Sequence, residues 1–307
     1  MTLRFLSQTG SPLMHDGIHG FWIAAATPLD ASGQVDTRLL GEHARALFAR
    51  GCDGVVLFGT TGEGTAFSAA ERLATAQALL AQDIPASRLA LGVGFPAIAN
   101  AIGISKDALS LGLTHLLALP PFYYRDVTED GLVDAFSALI DGIGDDRLRL
   151  TLYHIPQVAG VGIPPGAAAR LRARYGRALA GLKDSSADFA QFRAFRAAAP
   201  DITIVVGCEP DIGRALAEGG AGTICGMGNV APELVQAMFK ADAPVAQMQS
   251  ACGLVSGPFI ALLKSMLAAR SGDAGWLRVR APLRSATMAH GTRLLAQLDA
   301  LSARRAA

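Results

Sequence analysis

The chain has 307 residues, half of them hydrophobic and 17% charged, with a net charge of +1. That composition supplies ample material for a globular core. With no Lys/Arg run or basic face, it excludes an electrostatic case for nucleic acid or an anionic membrane surface. Cys52, Cys208, Cys225 and Cys252 never fall in a CxxC spacing, which argues against structural zinc and a disulfide framework. Residues 1–19 are mixed and polar, without the basic start and apolar run of a signal peptide, and no apolar run is long enough to span a bilayer. A cytoplasmic location is the resulting expectation.

In chain order, short apolar runs alternate with longer amphipathic ones. A polar tail over residues 1–19 leads into a strand at Phe21–Ala26 and a helix at Thr37–Arg50 behind the cap residue Asp36. Strand Gly54–Phe58 and helix Ala69–Ala81, capped by Ser68, come next. They are followed by Leu89–Val93 with Ile98–Leu111, and by His115–Leu119 with Glu129–Gly142 behind Thr128. Strand Leu148–Tyr153 precedes helix Pro165–Tyr175, and strand Leu179–Lys183 precedes Phe189–Ala198 behind Asp188. Strands at Ile202–Val206 and Gly222–Cys225 complete the series. The strands are nearly continuous Val/Ile/Leu runs, as parallel strands covered on both faces require. Eight such units predict a (β/α)₈ TIM barrel over residues 20–241. A doubly wound open sheet is the alternative, disfavoured because no GxGxxG follows the first strand. Residues 242–307 read as a helical extension of two or three helices packed on the barrel, broken near Gly272–Gly275.

Active sites of such barrels lie at the C-terminal ends of the strands. There the chain places Gly59-Thr60-Thr61-Gly62-Glu63-Gly64, Tyr153-His154-Ile155-Pro156, Lys183-Asp184-Ser185-Ser186 and Gly207-Cys208-Glu209. Lys183 stands out. The chain has 23 arginines and only four lysines, and Lys106, Lys240 and Lys264 lie in helical patterns. An amine at the end of an apolar strand either reaches water or is desolvated, and desolvation favours the neutral form. A neutral amine condenses with a ketone to a Schiff base. The glycine-rich loop offers two hydroxyls and open backbone N–H groups that suit a carboxylate, although an ordinary βα turn has the same composition. Tyr153 is either a proton relay or a core aromatic with a wet tip. Packing alone does not explain why all three converge on one rim. The histidines form no HxH or HExxH pattern, so no metal is expected. Glu63 and Glu209 also fall at the mouth, which admits a two-carboxylate hydrolase, but that leaves Lys183 without a task.

Together these motifs resemble the dihydrodipicolinate synthase / N-acetylneuraminate lyase family of class I aldolases, from about Gly20 to the C-terminal helices. The resemblance implies a lyase that makes or cleaves a carbon–carbon bond between pyruvate and an aldehyde. Lys183 matches the imine-forming lysine, Tyr153 the proton-shuttling phenol, and Thr60 and Thr61 the pair that holds the pyruvate carboxylate beside Gly59. Tyr123, with Tyr124 as its neighbour, matches a tyrosine that one subunit lends to another, which implies a homodimer or homotetramer. Ile224 takes the place of the apolar residue beside the imine, and Gly207 that of a backbone contact to substrate. No cofactor beyond the covalent imine is implied.

The departures bear on the second substrate. Val158 stands where the synthases carry an arginine, and a valine cannot fork a carboxylate, so 4-hydroxy-tetrahydrodipicolinate synthase activity is disfavoured unless Arg125 substitutes. Glu209 keeps one acid of the neuraminate lyases, but Pro210 and Gly226 replace its partners. His154 replaces the usual asparagine. The expected electrophile is a sugar-derived or hydrophobic aldehyde. The alternatives are a 2-keto-3-deoxy acid dehydratase acting through the same imine, and a non-catalytic 2-keto acid binding barrel.

Overall fold

A computed structural model describes residues 16–303. Residues 1–15 of the expected tail and residues 304–307 lie outside the described residues. Eight parallel strands close into a barrel in sequential order: β1 (Gly20–Ala24), β2 (Gly54–Leu57), β3 (Leu89–Gly92), β4 (His115–Ala118), β5 (Arg149–His154), β6 (Leu179–Asp184), β7 (Thr203–Val206) and β8 (Gly222–Cys225). Closure is the pairing of β1 with β8, with Gly20 opposite Gly222 and Ile23 opposite Cys225. The expected fold is therefore the observed one.

The strands alternate between two cores because successive side chains point to opposite faces. Trp22, Ala24, Val56, Ala90, Leu117, Tyr153, Val205 and Ile224 fill the barrel interior. Residues between them in sequence, such as Ile23, Val55, Leu57, Leu116, Leu152 and Leu182, join the layer beneath the helices. Trp22 lies across Gly54, where a Cβ would fall 2.6 Å from its ring, so that glycine makes room for the indole.

The outer ring comprises α1 (Thr37–Ala49), α2 (Ala69–Leu80), α3 (Ile98–Ser110), α4 (Glu129–Ile143), a single turn α5 (Pro156–Ala159), α6 (Pro165–Tyr175), α7 (Phe189–Ala198), α8 (Ile212–Ala217) and α9 (Pro232–Ala237). The four cap residues read from the sequence accept as caps do. Asp36 accepts from Leu39 N at 2.9 Å, Thr128 from Gly131 N and Asp188 from Ala190 N. Ser68 and Glu71 form a reciprocal capping box. Beyond the ring come α10 (Val245–Gly253), α11 (Phe259–Ser271) and α12 (Met288–Ala303). Gly272 ends α11 in the left-handed conformation, at the expected break. The segment 278–283, between α11 and α12, returns to the rim of the barrel. Among the described residues no helix is long and apolar enough to cross a membrane.

Asn229 locks the seam where the barrel closes. Its Oδ1 accepts from Ala26 N, its Nδ2 donates to Ala24 O and Gly226 O, and His43 Nε2 donates to Oδ1 at 3.0 Å. His43 also meets Trp276 edge to face. Burial holds the His43 pKa down at about 4, against 6.5 for the free side chain. The folded state therefore binds this proton less tightly than the unfolded chain. The His43 contribution is complete above about pH 6.5 and is lost as pH falls toward 4. Melting temperature is expected to decline over that window, and His43→Gln, which keeps a donor, should flatten the decline. An equal slope in the variant would assign the acid lability elsewhere.

Candidate active site

The C-terminal rim brings together side chains from three separated stretches. Tyr153 and Lys183 are directly paired across β5 and β6, so both side chains enter the barrel side by side. Lys183 is 3% exposed, and its Nζ sits 4.2 Å from the Tyr153 ring centroid. Among the described residues it enters no ion pair. The Tyr153 hydroxyl lies 3.3 Å from Thr60 Oγ1. An amine, a phenol and a hydroxyl thus form a continuous array.

The loop carrying Thr60 is held in a tight conformation. Phe58 and Glu63 both adopt positive φ, near +56° and +57°. Gly64 N donates to Gly59 O, Glu63 N to Thr60 O, and Thr27 Oγ1 to Gly62 O. Thr61 is buried, and a Cβ at Gly226 would lie 3.3 Å from its Oγ1. A carboxylate can be met here by hydroxyls and by backbone N–H groups of the Gly59–Thr61 turn. Gly207 borders the lysine, since a Cβ there would fall 3.2 Å from Lys183 Cε and 1.9 Å from Ser185 Oγ. Ile224 belongs to the interior cluster with Tyr153.

Glu63 is not available at the mouth, which corrects the two-carboxylate alternative. Its Oε1 accepts from Lys264 Nζ at 2.6 Å and its Oε2 from Arg280 N at 2.8 Å. Both side chains of the Lys264–Glu63 pair are enclosed, at 0% and 1% exposure, and Lys264 also donates to Arg278 O. Burial pushes the Lys264 pKa down, and Glu63 opposes that shift. Sequence reasoning passed over Lys264. The signal was there, in a helix that is apolar on nearly every side and carries one lysine, Phe259-Ile260-Ala261-Leu262-Leu263-Lys264.

Glu209 is buried beside the lysine and is itself committed to the backbone. Its Oε1 accepts from Gly226 N and Met227 N, at 3.0 and 2.8 Å, and the Cys252 thiol approaches Oε2 at 3.7 Å. Burial raises its pKa, and those two N–H groups and Lys183 counter the rise. The carboxylate braces the loop after β8.

His154 does not face the mouth. Its ring turns outward, away from Tyr153, with Nδ1 accepting from Ile163 N at 2.9 Å and the ring edge on Phe195. Burial depresses its pKa, and the neighbouring Asp184 opposes the shift, while burial raises the Asp184 carboxyl. Tyr123 is 76% exposed and stacks edge-on against Tyr124, with no hydrogen bond to the array among the described residues.

Above the array lies a cavity of about 380 Å³. Thr60 and Tyr153 line it, with Phe58, Leu119, Phe122, Ile155, Val158 and Ile260. Arg280 to Leu283 complete the wall, so the region after α11 contributes directly to the site. Lys183 is not among the residues that line the cavity; its Nζ lies against the ring of Tyr153, which does line it. Among the described residues no group of three or more His, Cys, Asp or Glu is placed to hold a metal ion.

Comparison with known proteins accords with this geometry. Residues 18–268 match the dihydrodipicolinate synthetase family. An uncharacterised DapA-like lyase of Chloroflexus aurantiacus is 38% identical over 223 residues, 72% of this chain and 74% of the relative. The 4-hydroxy-tetrahydrodipicolinate synthase 1 of Streptomyces coelicolor is 32% identical over 295 residues, 91% of this chain and 93% of the relative. The crystal structure of dihydrodipicolinate synthase from Agrobacterium tumefaciens superposes with a TM-score of 0.86 at 32% identity, covering 92% of this chain and 99% of that one. The chain belongs to the dihydrodipicolinate synthetase family, the Schiff-base-forming, pyruvate-dependent lyases of the class I aldolase type.

Proposed function

We propose that Lys183 is the imine-forming residue and that the Lys183–Tyr153–Thr60 array carries out aldol or retro-aldol chemistry on pyruvate. The observation that carries this is an enclosed amine with no ion-pair partner among the described residues, beside a phenol hydrogen-bonded to a loop hydroxyl. Lys183 Nζ attacks C2 of pyruvate, Tyr153 protonates the carbinolamine hydroxyl so that water leaves, and the resulting phenolate takes a proton from C3 as the iminium becomes an enamine. Thr60, Thr61 and the Gly59 turn hold the carboxylate, which fixes the orientation of C3. Tyr153 supplies a proton to the oxygen of the incoming aldehyde, and Thr60 supports it. Because the iminium nitrogen is the electron sink, no metal or redox cofactor has a place in the reaction. Gly207 lets the backbone pass close to Ser185 and Lys183, and Ile224 walls the site on the apolar side.

The enzyme is proposed to be homo-oligomeric and cytoplasmic, and Tyr123 supports the first of these. A tyrosine pair standing 76% and 74% exposed at the rim is suited to be covered by a second copy of the chain. In that assembly the phenol of one subunit would extend the relay of its neighbour.

The test separates chemistry from binding. Tyr153→Phe removes the proton donor and keeps the ring under Lys183. Turnover is expected to fall by roughly 10²–10⁴-fold, with KM for pyruvate changed little. Unchanged turnover would remove Tyr153 from the mechanism, and an equal loss in KM would make it a binding residue only.

A further inference from the structure

We infer that the cavity above the array selects an uncharged aldehyde with an apolar substituent, aryl or branched alkyl, as the carbon–carbon bonding partner of pyruvate. The inference rests on the imine reading given above. Its evidence is the chemistry of the cavity wall.

The cavity has the size of a small-molecule site. Its wall between Tyr153 and the outside is built from Leu119, Phe122, Ile155, Val158, Ile260 and Leu283. Three charged residues also touch it, and each is already engaged with the protein around it. Arg72 is buried, and all three of its nitrogens donate to backbone carbonyls, of Phe67, Gly92 and Gly64. Arg280 spends both terminal nitrogens on Ala66 O, Gly33 O and Glu71 Oε1, and its guanidinium covers the Phe67 ring. Glu63 is neutralised by Lys264 and accepts from the Arg280 backbone. Arg125 rests against Gly160 and does not line the cavity. A substrate carboxylate placed here would be desolvated against mostly apolar side chains, and the two lining guanidiniums, Arg72 and Arg280, are already turned to backbone carbonyls and Glu71, so neither is set to fork it. A polyol would leave most hydroxyls without partners, because the side-chain hydroxyls on the wall are those of Thr60, Thr65 and Tyr153 and the rest of it is largely apolar. An apolar substituent loses nothing on entry and gains the transfer free energy of its buried surface.

The step balances without any further reagent. C3 of the enamine bonds to the aldehyde carbon, the aldehyde C=O π bond breaks, and its oxygen takes the Tyr153 proton. The enamine returns to an iminium, and water hydrolyses it to a 4-hydroxy-2-oxo acid and the free Lys183 amine, the proton released returning to the Tyr153 phenolate. Cleavage is the reverse.

Pyruvate release is to be measured from three 4-hydroxy-2-oxo acids: the adducts of pyruvate with benzaldehyde, with glyoxylate and with glyceraldehyde. Borohydride trapping of pyruvate runs alongside on the same protein. The expected result is trapping together with a kcat/KM for the phenyl adduct at least about 100-fold above both others, with Val158→Arg shifting the ratio toward the glyoxylate adduct by about tenfold or more. Trapping with a preference for the glyoxylate or glyceraldehyde adduct overturns the apolar assignment and leaves the imine reading standing. Absence of trapping overturns both.

Discussion

Lys183→Ala is expected to lower turnover by at least about 10⁴-fold while the protein remains folded. The substitution removes the only group in the array able to form a covalent bond to the keto carbon, and neither Tyr153 nor Thr60 can form an imine in its place. Lys183→Arg should fail almost as completely, because a guanidinium keeps its proton and cannot act as the nucleophile. The arginine variant is the more telling of the two, since it keeps positive charge near Glu209 and the Tyr153 ring. Residual activity within tenfold of the parent in either variant, measured as pyruvate release from the productive 4-hydroxy-2-oxo acid, would show that the reaction does not run through this amine. Circular dichroism and thermal melting check that the loss is chemical.

Lys264→Met is expected to be the most destabilising single substitution at the rim. Removing one partner of an enclosed ion pair leaves Glu63 charged and uncompensated, at a cost of about 3–5 kcal/mol. For a domain this large each kcal/mol shifts the melting point by roughly 2–4 °C, so a fall on the order of 10 °C follows. Adding Glu63→Gln should recover part of that loss, because the amide oxygen can still accept from Arg280 N without burying an unpaired charge. A second effect separates this pair from ordinary packing. Glu63 sits three residues after Thr60 in the same left-handed turn, so Lys264→Met should raise KM for pyruvate through the displaced loop. An unaltered melting point would mean that Lys264 finds water in solution. A lowered melting point with unaltered KM would mean that the pair anchors the extension and not the loop.

How far the sequence foretold this site depended on the range of the contact. Alternating Val/Ile/Leu runs and amphipathic stretches identify all eight strands, because each is a local property of a few residues. Lys183 and Tyr153 were legible for the same reason, since the end of a barrel strand is a functional address. The direction of His154 was legible too. A strand alternates faces, so the residue after an inward Tyr153 must point out, and His154 does so against Phe195. Lys264 and Glu63 were not legible as a pair, because 201 residues separate them and a lysine in an apolar helix does not say which acid it meets. The return of residues 278–283 onto the cavity follows from how α11 and α12 pack on each other, and no local pattern announces that. Glu209 was placed correctly at the rim, but its two backbone partners come from the loop after a different strand.

Reduction with borohydride in the presence of pyruvate, followed by mass spectrometry of the digested protein, tests the covalent intermediate most directly. One irreversible pyruvate-derived modification should appear on the peptide containing Lys183, and none on Lys106, Lys240 or Lys264. An unmodified Lys183 at pyruvate concentrations that demonstrably saturate the protein, or a label carried by another lysine, would contradict the assignment.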